Sequence, residues 1–460
     1  MTLIKSISGF RGTIGGKVAD NLTPPDIVGF AAGYGQWIKE NWKKENYKIV
    51  VGRDARISGS MVSQLVCSTL SAMGIDVIDL GLSTTPTVEM MVPYLVADGG
   101  IILTASHNPK QWNALKLLNN KGEFISASDG EALLKIVESS NFDFSDVDSL
   151  GKYSKYDSAI ELHIERILEL PYVDVNAIKE RDFTVVVDAV NSTGGIAIPL
   201  LLEKLGVNFH KLYCEPNGDF PHNPEPLKEH LGDLSAMVVS KKADFGITVD
   251  PDVDRLALVN EDGSMFGEEY TLVAVADYVL ELNPSDTVSN MSSTRALADV
   301  TQKYGRNYHA SAVGEVNVVE KMKEVGAKIG GEGNGGIILP ELHYGRDALV
   351  GIAIFLTLLA KRDMSCKELR DSYPSYFMSK TKIELTPELD VDGILEKIAL
   401  HYKDQKVSTI DGVKIDFEKG WIHLRKSNTE PIIRIYTEAQ SQELADKMGQ
   451  EMQQLVKTIS

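Results

Sequence analysis

Short apolar runs that end in polar or glycine-rich loops recur along this chain, and segments with helical patterns separate them. Three such runs are YKIVVGRDAR (47–56), FTVVVDAVNSTGG (183–195) and FGITVDPDVDR (245–255), each of which begins with β-forming residues. Helical patterns follow the first two runs, at 59–73 and 196–205. Strands that alternate with helices are typical of βαβ units, so the pattern predicts an α/β fold with largely parallel sheets.

A further apolar run, 101–103, opens into a loop that is rich in small polar groups. The segment ILTASHNPKQWNALK (102–116) holds Ser106, His107 and Asn108, and Pro109 disfavours a helix at the residue before it. The polar cluster is therefore predicted to lie at the carboxyl end of a buried strand, where open α/β sheets bind ligands. An ordinary turn, in which Ser106 and Asn108 satisfy the backbone, explains the same residues.

The length of the chain and a change of pattern near its end predict four domains. At about 150 residues per domain, 460 residues suggest three. Residues 412–440, however, alternate as strands and are followed by a helical pattern at 441–458, which indicates a smaller α+β domain. We therefore predict three similar α/β domains, 1–152, 153–255 and 256–374, and an α+β domain, 375–460.

Composition excludes several classes of protein. Hydrophobic residues make up 43% and charged residues 24% of the chain, the start lacks a secretory signal, and the longest apolar run (349–360) is too short to span a bilayer. Three scattered cysteines indicate neither a disulfide framework nor a zinc site, and they favour a cytoplasmic location. A net charge of −18 disfavours nucleic acid and anionic membranes as partners, so an anionic ligand would need a local basic site.

The acidic loop TVDPDVDR indicates a metal site. On an extended segment alternate side chains share a face, so Asp250, Asp252 and Asp254 are predicted to converge. Three carboxylates repel one another unless a cation is present, and oxygen ligands at this density suit Mg²⁺. A phosphatase-like alternative would use Asp250 as a nucleophile, and a solvated acidic turn is the third interpretation.

Two further loops carry groups that suit a sugar phosphate. RKSNTEPIIRIY (425–436) indicates a phosphate cradle of hydroxyls, loop N–H groups and arginines, although a plain strand–turn–strand fits as well. The glycines of GGEGNGG (330–336) allow a ligand to approach the backbone closely, and the loop offers two polar side chains to sugar hydroxyls. Near the start of the chain, Arg11 in SGFRGTIG is either a phosphate contact or part of a flexible arm. The candidate residues of the two loops are Arg425, Ser427, Asn428, Thr429, Arg434, Glu332 and Asn334.

Four of these motifs, taken in order, resemble the α-D-phosphohexomutase family. The resemblance covers the whole chain and consists of TASHNP with Ser106, DPDVDR as the metal loop, GEGNGG as the sugar loop and RKSNTEP as the phosphate loop. It implies four domains around a central cleft, of which the first three are related α/β units with mixed sheets. It also implies interconversion of hexose 6-phosphate and hexose 1-phosphate through a phosphoserine and a 1,6-bisphosphate.

The resemblance assigns expected roles to individual residues. Ser106 would be the phosphoserine, and its phosphoryl oxygen would complete a Mg²⁺ site with the three aspartates. His107 and Lys116 would share proton transfer and charge stabilisation, with the general base left open. Arg255 would face the reacting phosphate and Arg11 would assist it. The hexose 1,6-bisphosphate would serve as intermediate and activator, and the oligomeric state is not implied.

Departures from the family pattern bear on the choice of sugar. Many phosphomannomutase/phosphoglucomutase members carry serine and histidine in the sugar loop, where this chain has Asn334 and Gly336. They also carry a lysine where this chain has Ser292, and a glycine–histidine pair where this chain has glycine followed by Glu315. These differences look most like the archaeal-type phosphoglucosamine mutase branch, which implies glucosamine phosphate as substrate. A phosphoglucomutase/phosphomannomutase, an aspartyl phosphatase and a non-catalytic sugar-phosphate sensor remain the alternatives.

Overall fold

Four β-sheets follow one another along the chain, each covered by helices. The computed structural model describes residues 2–6, 9–384, 390–426 and 432–459. The sheets contain seven, four, four and five strands in chain order, and we number the domains I to IV after them. The four domains and the α/β class confirm the fold predicted from the sequence.

Domain I is a mixed seven-stranded sheet. Its order is β1-β2-β6-β5-β3-β4-β7, with β3 parallel to both neighbours and β5 antiparallel to β6. The run predicted as a buried strand is β5, and all five of its residues are buried. The elements are β1 Ile4–Ser6, β2 Gly9–Thr13, α1 Pro24–Trp42, β3 Tyr47–Arg53, α2 Gly59–Ala72, β4 Ile75–Leu82, α3 Thr85–Tyr94, β5 Gly99–Leu103, β6 Trp112–Leu118, α4 Ala127–Ser139 and β7 Tyr153–Lys155.

Domains II and III repeat one plan: parallel strands with one antiparallel strand at an edge. Their orders are β11-β10-β8-β9 and β13-β12-β14-β15, in which β11 and β15 are the antiparallel strands. The elements of domain II are α5 Ala159–Leu168, α6 Val175–Arg181, β8 Thr184–Asp188, α7 Gly194–Leu205, β9 Asn208–Leu212, α8 Gly232–Lys241, β10 Phe245–Val249 and β11 Leu256–Asn260. Those of domain III are α9 Glu268–Leu282, β12 Thr287–Asn290, α10 Ala296–Lys303, β13 Tyr308–Ser311, α11 Glu315–Val325, β14 Ile329–Glu332, β15 Gly336–Ile338, α12 Ala348–Arg362 and α13 Cys366–Asp371.

Domain IV is the smaller unit, with an antiparallel sheet of order β16-β20-β19-β18-β17. Its core lies between this sheet and two helices. The elements are β16 Phe377–Glu384, α14 Val391–His401, β17 Lys406–Ser408, β18 Val413–Phe417, β19 Gly420–Lys426, β20 Ile432–Ala439 and α15 Gln442–Ile459.

Two of the predicted domain boundaries cut across sheets. The predicted boundary after residue 152 separates β7 from β4, with which it pairs in parallel. The predicted boundary after residue 255 divides the antiparallel pair of β10 and β11. Arg255 belongs to the turn that joins these two strands.

The apolar run 349–360 forms the helix α12, which is buried on nearly every face. It packs in one core with helices of domains II and III, so these two domains share their hydrophobic interior. Among the residues that the structure describes, no helix combines the length and the apolar character needed to cross a membrane. The three cysteines are buried free thiols.

Candidate active site

The loop after β5 places Ser106 at the carboxyl edge of the first sheet, as the sequence predicts. The buried guanidinium of Arg56 fixes this loop by donating to the main-chain carbonyl oxygens of Pro109 (2.8 Å) and Trp112 (3.0 Å), and to those of Ser106 and Asn108. Its Nε donates to Asp54 at 3.0 Å. The sequence analysis did not identify Arg56, because its role depends on contacts about fifty residues away.

Ser106 itself is held in a constrained position. Its φ of 47° lies in the left-handed region that residues with a side chain seldom occupy, and Thr104 Oγ1 accepts its backbone N–H at 2.9 Å. Such backbone strain persists where the surroundings impose it, and it concentrates at functional sites. The hydroxyl donates to Asp250 Oδ2 at 2.6 Å and lies 3.3 Å from His107 Nδ1. The structure therefore joins the predicted serine to the predicted acidic loop.

The three aspartates converge, but not in the way that the sequence pattern suggested. Carboxylate oxygens of Asp250, Asp252 and Asp254 lie within 4.8 Å of one another, and all three side chains are buried. The segment is a turn rather than an extended strand, since the backbone N–H of Val253 bonds to the carbonyl of Asp250 and Val253 has a φ of 64°. The prediction that the three aspartates share one face of an extended strand was therefore wrong. The turn, with Val253 in the left-handed region, brings the carboxylates together instead.

The donor set suits a divalent cation. Asp252 Oδ1 and Asp254 Oδ1 are buried and have no hydrogen-bond partner among the described residues. Burial, together with the charges of Asp254 and Asp252, raises the pKa of Asp250 well above its ordinary value. A hard cation would occupy the unpaired oxygens and relieve this repulsion. The geometry thus provides a buried oxygen site that could hold a metal ion.

Lys116 on β6 supplies a positive charge to the same cluster. Its Nζ lies 2.7 Å from Asp252 Oδ2 and 3.6 Å from Asp254 Oδ2. Burial lowers the pKa of Lys116, but the two carboxylates outweigh this effect and the pKa is raised above its ordinary value. The lysine is therefore charged at neutral pH. The hydroxyl of Thr85, at the start of α3, completes the contacts of Asp252 Oδ2 at 2.6 Å.

A cavity of about 170 Å³ opens beside Ser106, and the predicted basic residues line it. These lining side chains include His107, Lys116, Arg11 and Arg255. Arg255 Nε lies 4.0 Å from a carboxylate oxygen of Asp250 and 3.8 Å from one of Asp254. Arg11 is largely buried in the same wall, and this burial lowers its pKa. Burial and the charge of Arg255 lower the pKa of His107 to about 2, so its imidazole is neutral. Arg11 is thus part of the site wall rather than a free arm.

Arg346 is a site residue that the sequence analysis missed. Its guanidinium lies 2.7 Å from Asp254, 3.0 Å from Glu315 and 2.6 Å from Glu332, so it joins the acidic loop to the sugar loop. The pairing across 92 residues leaves no local pattern in the sequence. One signal is visible in the sequence: Arg346 directly precedes Asp347, which caps the start of α12.

The predicted sugar-loop residues have different surroundings. Glu332 ends β14 and also accepts hydrogen bonds from Asn290 Nδ2 (2.8 Å) and the backbone of Gly314 (3.2 Å). Glu315 begins α11, and burial raises its pKa to about 7. Asn334 lies in the turn between β14 and β15, where its Oδ1 accepts from the backbone of Gly336 at 3.2 Å.

Domain IV presents two arginines side by side. Arg425 on β19 and Arg434 on β20 are direct cross-strand partners. Like charges directly opposite destabilise a sheet, and an anion bound between them removes that cost. The predicted contacts Ser427, Asn428 and Thr429 lie outside the described residues.

Comparison with known proteins agrees with this architecture. Four family profiles match in order, described as phosphoglucomutase/phosphomannomutase alpha/beta/alpha domain I (residues 4–144), domain II (161–263), domain III (267–376) and C-terminal domain (382–455). A phosphoglucomutase/phosphomannomutase of Thermococcus kodakarensis is 36% identical over 440 residues, which are 94% of this chain and 95% of that protein. A phosphoglucosamine/phosphogalactosamine mutase of Sulfurisphaera tokodaii is 31% identical over 96% of this chain and 97% of its own length.

A solved structure shows the same fold. The phosphoglucomutase/phosphomannomutase family protein of Burkholderia thailandensis superposes with a TM-score of 0.85 at 26% identity, over 99% of this chain and 97% of the other. The family match and these relatives show that the protein is an isomerase of the phosphohexomutase class. Within that class, the chain belongs to the phosphoglucomutase/phosphomannomutase family.

Proposed function

We propose that the protein interconverts hexose 6-phosphate and hexose 1-phosphate with Ser106 as the phosphoryl carrier. The observation that supports this most strongly is the Ser106 hydroxyl, held at a strained backbone position 2.6 Å from Asp250 in a cluster with unpaired carboxylate oxygens. Basic side chains line the cavity in front of it. This arrangement suits a group that carries three phosphoryl oxygens beside a cation.

The proposed reaction has two balanced phosphoryl transfers. A hydroxyl of the hexose monophosphate attacks phosphorus on phosphoserine 106, the bond from phosphorus to the serine oxygen breaks, and a hexose 1,6-bisphosphate forms. The bisphosphate reorients, the Ser106 oxygen attacks the other phosphorus, and the bond from that phosphorus to the sugar oxygen breaks. The phosphoserine is restored, and the sugar oxygen takes up a proton as the isomeric hexose monophosphate leaves. Mg²⁺ held by Asp250, Asp252 and Asp254 would neutralise charge on the transferring group.

The surrounding residues have distinct proposed roles. Lys116 and Arg255 are positive groups beside the aspartates and would stabilise charge on the transferring phosphoryl. His107 Nδ1 lies 3.3 Å from the Ser106 hydroxyl, so it is placed to exchange a proton there. Arg11 lines the same cavity and would contact a phosphoryl oxygen.

The distal phosphate of the substrate would bind in domain IV. Arg425 and Arg434 lie opposite each other on two strands, and Nε of Arg425 has no hydrogen-bond partner among the described residues. Two guanidinium groups so placed can each donate a pair of hydrogen bonds to phosphate oxygens. Ser427, Asn428 and Thr429, which lie between Arg425 and Arg434 in the sequence, would add hydroxyl, amide and backbone donors.

Replacing Arg425 by lysine is expected to raise KM for the sugar phosphate by about tenfold to a hundredfold. Lysine keeps the charge but loses the fork that binds two oxygens, a difference of about 1.5–3 kcal/mol for charged hydrogen bonds. Arg306→Lys, at an exposed position outside this loop, is the matched control and should leave KM unchanged. Steady-state kinetics check the prediction, and an unchanged KM in both variants would mean that the loop is a surface turn.

For the sugar, we propose glucosamine phosphate. Glu315 and Glu332 both contact the guanidinium of Arg346, which also pairs with Asp254 of the acidic loop. Glu315 Oε2 has no aligned hydrogen bond, although Arg346 Nε lies 3.0 Å away. The 2-ammonium group of the sugar would donate a charged hydrogen bond to this oxygen, which contributes more binding free energy than the hydrogen bond from a sugar hydroxyl. The relative from Sulfurisphaera tokodaii, named for glucosamine and galactosamine phosphates, is consistent with this choice.

Glucose or mannose phosphate is the second candidate. The observation that favours it is the higher identity, 36%, to the phosphoglucomutase/phosphomannomutase of Thermococcus kodakarensis. The pairing of Glu332 with Arg346, Asn290 and Gly314 also leaves that carboxylate with few free lone pairs for a ligand. Substrate preference therefore depends mainly on Glu315.

We expect kcat/KM for glucosamine 6-phosphate to exceed that for glucose 6-phosphate by about tenfold to a hundredfold, as a charged hydrogen bond of about 1.5–3 kcal/mol requires. Glu315→Gln should shrink this ratio and leave phosphorylation of Ser106 intact. Glu320→Gln, exposed on the same helix, is the control. Coupled assays with glucosamine, N-acetylglucosamine, glucose and mannose phosphates measure the ratios. A wild-type preference for glucose or mannose phosphate would overturn the choice of sugar but not the mutase reaction.

A further inference from the structure

We propose that His163, His343 and Asp347 form a second metal site, for a zinc-like divalent ion, at the junction of domains I, II and III. His163 lies on α5, His343 lies in the loop after β15, and Asp347 caps the start of α12. Both imidazole Nε2 atoms face the same oxygen, Asp347 Oδ2, at 2.8 Å from His163 and 3.3 Å from His343. One ligand atom from each of the three residues lies within 4.8 Å of the others.

The second nitrogen of each imidazole faces a partner outside the cluster, as metal-bound histidines require. His163 Nδ1 lies 2.9 Å from the hydroxyl of Thr87, and His343 Nδ1 lies 3.4 Å from Glu89 Oε2. Asp347 Oδ1 accepts the backbone N–H groups of α12, which leaves Oδ2 for the cluster. Partners of this kind fix the tautomer and the orientation of each ligand.

Glu89 is a buried carboxyl group beside the cluster that could serve as the outer partner of a metal-bound His343. Its side chain is 1% exposed, and neither carboxylate oxygen has a hydrogen-bond partner among the described residues. With a metal on Nε2, His343 Nδ1 carries the hydrogen and can donate it to Glu89.

The ligand set and its spacing select the class of ion. Two imidazoles and one carboxylate suit zinc and similar transition ions, whereas Mg²⁺ prefers oxygen ligands alone. A tetrahedral ion with bonds of about 2.0–2.1 Å separates its ligand atoms by about 3.3 Å, so small shifts accommodate it. A cavity of about 410 Å³, whose lining includes His163 and Leu342, lies next to the cluster.

The site would connect three domains next to the candidate active site. Helix α3 carries both Glu89 and Thr85, the residue that bonds to Asp252 of the acidic loop. Asp347 directly follows Arg346, which pairs with Asp254. An ion at this junction would therefore fix the position of Arg346 and raise the temperature of unfolding.

Cobalt(II) substitution in the full-length protein tests the proposal. After chelation, the protein should bind one equivalent of Co²⁺ with the intense visible absorption of a four-coordinate ion, which the oxygen-only aspartate site does not produce. His163→Gln and His343→Gln should each weaken this binding by at least about a hundredfold, and Zn²⁺ should compete with it. His309→Gln, which removes a histidine paired with Asp286 elsewhere in domain III, is the matched control and should bind like wild type.

The outcomes separate the metal site from a metal-free hydrogen-bond network. Zn²⁺ should raise the melting temperature of the wild type and of His309→Gln but not that of the two cluster variants. Absence of four-coordinate absorption in the wild type, or equal absorption in wild type and both folded cluster variants, would overturn the proposal. If a cluster variant does not fold, the wild-type spectrum and the zinc-induced shift of melting temperature decide the question alone.

Discussion

Ser106→Ala is expected to reduce the mutase rate by a factor on the order of 10⁴ or more, because it removes the atom that carries the phosphoryl group. Intact mass of the wild type should show a fraction about 80 Da heavier, one added phosphoryl group, which peptide mapping places on Ser106. The variant should lack this fraction. Its melting temperature should change little, because alanine keeps the backbone contact of Ser106 with Thr104.

Ser128→Ala is the control, because Ser128 is exposed at the start of α4. It should retain both activity and the phosphorylated fraction. Full activity in Ser106→Ala would contradict the serine mechanism. It would favour the alternative in which Asp250 is the nucleophile of a phosphatase-like reaction. A wild type that binds sugar phosphate without turnover would instead support a sensor.

Asp252→Asn is expected to lower both metal affinity and turnover, the latter by at least about a hundredfold. The substitution replaces a charged carboxylate of the proposed metal site by a neutral amide, and Asp254, 3.6 Å away, then remains as the carboxylate that Lys116 contacts. Chelation should abolish turnover in the wild type, and added Mg²⁺ should restore it. Calorimetric metal titration and steady-state kinetics measure the two effects.

Asp219→Asn provides the matched control. It breaks an exposed carboxylate–lysine pair, with Lys110, and should change neither quantity. If the chelated wild type turns over at full speed, the assignment of a metal to the aspartates is wrong. If Asp252→Asn binds Mg²⁺ as tightly as the wild type, Asp252 is not a ligand.

The strand that positions Ser106 was predictable from sequence, and so was the loop after it. The apolar run 101–103 after two glycines is typical of a short interior strand, Pro109 disfavours a helix at the residue before it, and β5 is buried throughout. The convergence of Asp250, Asp252 and Asp254 was predicted correctly for the wrong geometric reason. Alternation along a strand requires no partner, whereas the observed left-handed φ of Val253 depends on the packing around it.

The residues that fix the site were not predictable in the same way. Arg56 bonds to carbonyl groups of the Ser106 loop, and Arg346 joins carboxylates from domains II and III. Both act across domain or loop contacts that leave no periodic pattern in the chain. The mixed strand order of domain I likewise depends on tertiary pairing, since β6 inserts between β2 and β5.

Transfer of labelled phosphoryl from Ser106 in a single turnover tests the central claim most directly. Enzyme labelled by ³²P-hexose 1,6-bisphosphate is separated from free ligand and mixed with an unlabelled hexose monophosphate. Label is expected to leave Ser106 and to appear in hexose bisphosphate and monophosphate at least as fast as steady-state turnover. Label that is released only as inorganic phosphate, or that was attached to Asp250 as an acyl phosphate, would contradict it.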